Sequence, residues 1–216
     1  MAELAVIGLG RFGRAVARSL TLEGQSVLAI DRDRARLDAV EAEVERTVAA
    51  DTTDEGIMAG LRLEQMACVV VAMGSRATEA SVLTTAILKE IGIPRIVARA
   101  FDERHARLLL ALGANEVLNP EEELARQLAR RLVHPGIVAD FSFGDAIIAE
   151  VETPETFVGR SLREIDLRSR YGINALAIRC RGVTRVNPSP DDALASGDIL
   201  VLLGPPRAVE RFSRLQ

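Results

Sequence analysis

Along residues 3–118, short apolar runs alternate with stretches whose apolar residues recur every three or four positions. The runs at 3–9, 26–31, 46–51, 68–74, 95–100 and 116–120 read as strands, and 14–23, 34–44, 55–61, 78–91 and 103–112 between them as helices. Strands apolar at nearly every position are buried on both faces, which parallel sheets require. Strand–helix alternation with short connections therefore predicts a doubly wound parallel α/β sheet of six strands. Gly24, Gly92 and Gly113 stand where helix ends favour a left-handed residue. In the next segment Leu124, Leu128 and Leu132 recur at every fourth position, and His134-Pro135-Gly136 stops the helix. That leucine stripe needs an apolar partner, on its own sheet or on another subunit. Beyond it come a strand at 146–153, a helix at 161–171, strands at 173–182 and 183–190 turning at Gly182, a strand at 196–204 and a terminal helix at 207–215. This predicts three parts: a Rossmann-like domain at 1–120, a crossover helix and linker at 121–136, and a small α+β domain at 137–216.

Composition agrees with that reading. The 216 residues are 48% hydrophobic, with no Trp, one Tyr and six Phe, so the core is aliphatic. The net charge of −4 argues against nucleic acid as a partner. Lys89 is the lone lysine among 27 basic residues, a skew that base composition of the coding sequence explains. Cys68 and Cys180 lie far apart in apolar runs without metal-ligand spacing, as expected of buried thiols in a reducing compartment. The first strand follows no basic leader, and no uncharged apolar run is long enough to span a bilayer. A cytoplasmic protein is expected.

The strongest chemical signal is Gly8-Leu9-Gly10-Arg11-Phe12-Gly13, which follows a strand and opens a helix. In this pattern the first glycine permits a tight turn and the second lets backbone approach phosphate. The third lets helix and strand pack closely, and the helix N-terminus offers unpaired N–H groups to an anion. Asp31 ends the next strand, placed to accept from ribose hydroxyls; its charge disfavours a 2′-phosphate, tempered by Arg32. Arg11 either aims a charge at terminal phosphates, suiting ATP or ADP, or is a solvated loop residue. Asp51 and Thr52, Met73 and Gly74, and Arg99 close later strands, as ligand contacts or as turns and caps.

Groups for catalysis are few. His105 is expected to face solvent, and His134 sits in a helix terminator. Tyr171 lacks a lysine four positions on, where Ala175 stands. No Walker loop, metal cluster or Ser/His/Asp set is present, so a binding protein rather than an enzyme is expected.

The segments AVIGLGRFGRAVA (5–17), VLAIDRD (27–33), VAADTTDEGIM (48–58), VVVAMGS (69–75), the 83–125 stretch containing IPRIVARAFDERHARLLLALGANEVLNPEEE, FVGRSLREIDLRSRYGINALAIRCRG (157–182) and ASGDILVLLG (195–204) carry a resemblance. Over essentially its whole length the chain resembles the cytosolic regulatory subunits of Ktr/Trk-type bacterial potassium uptake systems, built from RCK (regulator of K⁺ conductance) domains. The resemblance implies an RCK Rossmann lobe, a crossover helix and a C-terminal RCK lobe. It further implies homodimers assembled into an octameric ring on a membrane-embedded K⁺-translocating subunit, with ATP and ADP competing for the Rossmann site. By motif matching, Gly8, Gly10 and Gly13 with Phe12 form the phosphate loop and Asp31 is the ribose acceptor. Arg11 and Arg99 would lie near the terminal phosphate. Glu121 would help hold Mg²⁺ or another cation at paired ATP sites, or simply favour the helix start. Some members bind cyclic di-AMP in the C-terminal lobe, and 162–190 would face that cleft. A single copy of the unit, with GRFG in the loop, points to the Ktr type and to ATP/ADP, with NAD(H) second. The other readings left open are an NAD(H)-binding redox sensor or dehydrogenase-like protein, and an RCK regulator of another ion transporter.

Overall fold

The structure, a computed structural model, describes residues 3–215. The chain divides into two compact units that part between Glu121 and Glu122.

The first unit runs β1 (Glu3–Ile7), α1 (Arg11–Leu22), β2 (Ser26–Asp31), α2 (Arg34–Asp38), β3 (Arg46–Ala49), α3 (Glu55–Gly60), β4 (Cys68–Val71), α4 (Thr78–Ile91), β5 (Ile96–Arg99), α5 (Glu103–Ala111) and β6 (Glu116–Leu118). Its six parallel strands take the order β3-β2-β1-β4-β5-β6. β1 is paired on both sides, Ile7 lying opposite Ile30 and Val71. Both sheet faces are covered, which explains the unbroken apolar runs. Ala5, Ile7, Leu28, Ile30, Val69 and Val71 face one layer, while Val6, Val27 and Ala29 face the other. Each buried Val, Leu or Ile contributes roughly 1.5–3 kcal/mol. Asp54 and Asp102 cap α3 and α5, accepting from the Ile57 and His105 N–H groups at 3.0 and 2.7 Å. α2 is shorter than the expected 34–44, because its last turns loosen into i→i+3 bonds at Val40 and Glu43. Asp38, Glu41, Glu43 and Glu45 crowd that end, where the helix dipole disfavours negative charge.

The second unit opens on α6 (Pro120–Val133), which spans the division. It continues through β7 (Ile137–Phe143), β8 (Ala146–Glu152), α7 (Leu162–Ile165), α8 (Leu167–Tyr171), β9 (Asn174–Cys180), β10 (Val183–Val186), β11 (Ile199–Gly204) and α9 (Pro206–Ser213). Its antiparallel sheet has the order β10-β9-β11-β8-β7. Arg181 and Gly182, at φ +48° and +82°, form the tight turn between β9 and β10, both positive as a primed hairpin turn requires. Phe157 stacks on Phe212 with centroids 5.4 Å apart, and Tyr171 meets Phe212 edge-on at 5.3 Å. Two features depart from expectation. β7 is an additional strand, hairpinned to β8 through Gly144 and Asp145. The expected 161–171 helix is two, broken at Asp166, whose φ of +50° ends α7 while its carboxylate caps α8. No residue of α6 is buried, and Leu124, Leu128 and Leu132 stand 64%, 48% and 74% exposed.

Candidate functional site

β1 ends at Ile7, between β2 and β4, where the strand order reverses; such crevices at the carboxyl ends of strands take ligands in open α/β sheets. Gly8 turns the chain there at φ +91°, and its N–H donates to the Ile30 carbonyl at 2.8 Å. A Cβ on Gly8 would meet Met73 Cγ at 3.0 Å, which places Met73 against the loop. A Cβ on Gly13 would lie 1.9 Å from the Gly8 carbonyl oxygen, so α1 can approach β1 this closely only without a side chain. Gly10 is different: a Cβ there would meet no atom within 4 Å. Gly10 is also the N-cap of α1, with no side-chain cap and no acidic residue in the first turn. The helix therefore opens on unpaired N–H groups facing free space, a fit for phosphate.

Asp31 locks the loop from behind. Its Oδ2 accepts from the Leu9 N–H at 2.7 Å and pairs with Arg36 Nη1 at 3.3 Å, while Oδ1 accepts from the Asp33 N–H at 2.9 Å. The residue is 6% exposed, and a carboxylate with about four acceptor sites retains room for one more donor. The salt partner is Arg36 rather than the neighbouring Arg32, which is exposed. Spacing along the chain does not mark Arg36, whose contact depends on the first turn of α2 lying back over the end of β2.

On the other side of the loop, Arg99 leaves the end of β5 with its guanidinium carbon 5.3 Å over the Phe12 ring. Arg99 Nη2 also donates to Glu121 Oε1 at the start of α6. Gly8, Gly10, Phe12, Gly13, Asp31, Met73, Arg99 and Glu121 thus form one connected constellation. Arg11 and Gly74 are exposed and make no such contact among the described residues. Asp51 folds back on its own turn: its Oδ1 accepts from the Thr53 hydroxyl at 2.7 Å and the Thr53 N–H at 3.0 Å. Those bonds, the hydroxyl's first, hold its carboxyl below the usual range, with Arg32 helping. Thr52 is buried, its hydroxyl 2.8 Å from that of Thr84 in α4.

His105 corrects the sequence reading. It is 4% exposed rather than solvent-facing, its ring 4.5 Å from that of Phe101, and neither ring nitrogen has a hydrogen-bond partner. Helix α5 turns that face onto α4 and β6, so a polar residue inside an exposed-looking charged run became core. Burial pushes its pKa below the usual histidine value, against a smaller opposing pull from Asp102. His134 is buried in the second unit, its Nδ1 accepting from Arg214 Nε at 3.3 Å. The thiols of Cys68 and Cys180 are free and half-buried rather than fully buried. Among the described residues no cluster of His, Cys, Asp or Glu is arranged to hold a metal, and no helix is long and apolar enough to cross a membrane.

The chain matches the TrkA-N domain family over residues 4–120 and the TrkA-C domain family over 147–216. It is 32% identical to the Ktr system potassium uptake protein C of Bacillus subtilis (strain 168), over 98% of this chain and 96% of that one. Among solved structures it resembles the GsuK channel bound to NAD, with a TM-score of 0.67 and 20% identity over 99% of this chain. It also resembles GsuK bound to ADP, with a TM-score of 0.51 and 20% identity over 62% of this chain. The chain spans only 39% and 34% of those two GsuK chains, and at that identity the likeness is one of fold.

Proposed function

The chain belongs to the family of Ktr and Trk potassium uptake proteins built from TrkA-N and TrkA-C domains, and from that membership we propose that it is an ATP/ADP-binding regulatory subunit that gates K⁺ flux through a membrane-embedded translocating partner. One observation carries the nucleotide assignment: an uncapped helix N-terminus with open space at Gly10, braced by Asp31 and flanked by the guanidinium of Arg99. When bound, the nucleotide supplies negative charge, and the chain's own groups do the rest. The first-turn N–H groups of α1 and the Arg99 guanidinium hold phosphate, and the remaining acceptor site of Asp31 orients a ribose hydroxyl. Arg11, Arg32, Asp51, Met73 and Gly74 complete the rim of that site, and Thr52, buried against Thr84, backs it. Two states of the subunit that differ in affinity for ATP and ADP are then biased by which one is bound.

In this reading the subunit is cytoplasmic, has no catalytic role, and works as homodimers assembled into an octameric ring on the inner face of the membrane. Glu121 contributes to a divalent cation site, such as Mg²⁺, that needs ligands from paired nucleotide sites. The C-terminal lobe is a candidate for cyclic di-AMP. NAD(H) is the second ligand to test, favoured by the GsuK structure that holds it and by an acidic residue at position 31.

Thermal unfolding with ATP, ADP, NADH and NADPH in separate samples tests the assignment. A ligand at about 100 times its Kd adds about 2.7 kcal/mol of stability. ATP and ADP are expected to raise the midpoint most. Stabilisation by NADPH alone, with hydride turnover, would overturn the proposal.

A further inference from the structure

We propose that Glu121 is a resident counter-anion for Arg99, and that this pair sets how much phosphate charge an adenosine-bearing ligand must bring to the site. The inference rests on the nucleotide reading above and concerns selection among ligands rather than their presence. Its two members are held unequally. The Arg99 side chain is 17% exposed, lies over Phe12 of the phosphate loop, and keeps its Nε buried without a hydrogen-bond partner. The Glu121 side chain is 64% exposed and touches Arg99 from the first turn of α6. The arginine is fixed by packing, whereas the carboxylate can swing into water at little cost.

A guanidinium pairs with carboxylate and phosphate through the same donors, and the unpartnered Nε can serve only an anion that approaches differently from Glu121. Glu121 therefore neutralises Arg99 until a more highly charged group displaces it. A ligand that carries charge beyond its first phosphate can drive that exchange. Adenosine, which has no phosphate, gains nothing from Arg99 whether or not the carboxylate is there. The acidic residue thus raises the threshold of charge that a ligand must bring.

Calorimetric titration of the full chain with ATP, ADP and adenosine, with divalent cations chelated, tests this. Glu121→Gln keeps the side-chain shape at an exposed position, and an unchanged melting temperature without ligand checks its fold. The variant is expected to bind ATP and ADP about fivefold more tightly, the range of a partly exposed ion pair, with adenosine unchanged. Arg99→Gln is expected to weaken ATP, and adding Glu121→Gln to it should restore nothing. ATP affinity in Glu121→Gln that is equal to or below wild type overturns the proposal while leaving the nucleotide site standing. A gain that persists without Arg99 also overturns it. A wild-type chain silent toward ATP and ADP overturns both readings together.

Discussion

A methyl group on Gly13 would sit 1.9 Å from the Gly8 carbonyl oxygen, while one on Gly10 would touch nothing. The two glycines of one loop therefore have separable roles. Gly13→Ala forces backbone apart, with no rotamer to relieve it, and is expected to cost about 1–3 kcal/mol in urea denaturation. Gly10 already has φ −66°, which alanine adopts without strain, so Gly10→Ala should cost at most about 1 kcal/mol, by which alanine is the poorer N-cap. Its methyl group would occupy the approach to the α1 N-terminus, and ATP affinity should fall by about tenfold or more, on the order of one charge-assisted phosphate contact. Undiminished ATP binding by Gly10→Ala would remove phosphate from this loop. These two glycines and Asp31 could be read from spacing alone, because each answers to local backbone geometry. Arg36 could not, since its role depends on α2 turning its first residues back over the end of β2.

Helix α5 shows what spacing misses one level up. Glu103, Arg104 and Arg107 surround His105 in sequence, yet the helix rotates them outward and His105 inward beside Phe101 and Leu109. Its folded pKa is lowered, so it binds protons more readily unfolded than folded. The stabilising contribution is complete above the unfolded value, about pH 6.5, and is lost as pH falls through the lower folded value. Melting temperatures at about pH 7.5 and 5.5 should therefore fall less in His105→Leu than in wild type. An identical drop in both would assign the acid sensitivity elsewhere. The six-stranded sheet was legible because strands buried on both faces leave unbroken apolar runs. β7 was not: Asp140 interrupts its apolar pattern, and that carboxylate is wholly buried because Arg130 of α6 pairs with it. The break at Asp166 was equally hidden, since the capping box of Ser161 and Glu164 announces a helix start but nothing about where it stops. The site divides the same way: the loop follows from sequence, while the Arg99–Glu121 pairing needs β6 beside β5 to bring position 121 back to position 99.

The leucine stripe of α6 poses the question that belongs to the whole molecule. Sequence left two partners open, and the structure leaves Leu124, Leu128 and Leu132 facing outward, with Val133 66% exposed beside them. Four large apolar side chains on one helix would be a poor surface for a monomer, and the proposed homodimer gives them a second copy to meet. Leu124→Glu with Leu128→Glu tests that directly. Both side chains already face water within the chain, so the folded subunit should change by no more than about 0.5 kcal/mol. Across a symmetric helix pair, however, the glutamates of one copy would meet those of the other in an apolar seam, where unpaired charge is costly. Light scattering during size-exclusion chromatography should then show an assembly of lower mass than the wild type's, while circular dichroism stays native. A double variant that keeps the wild-type mass would move the subunit contact away from α6. It would leave the stripe to cover a different surface, and any coupling between nucleotide and partner would then have to travel by some route other than this helix.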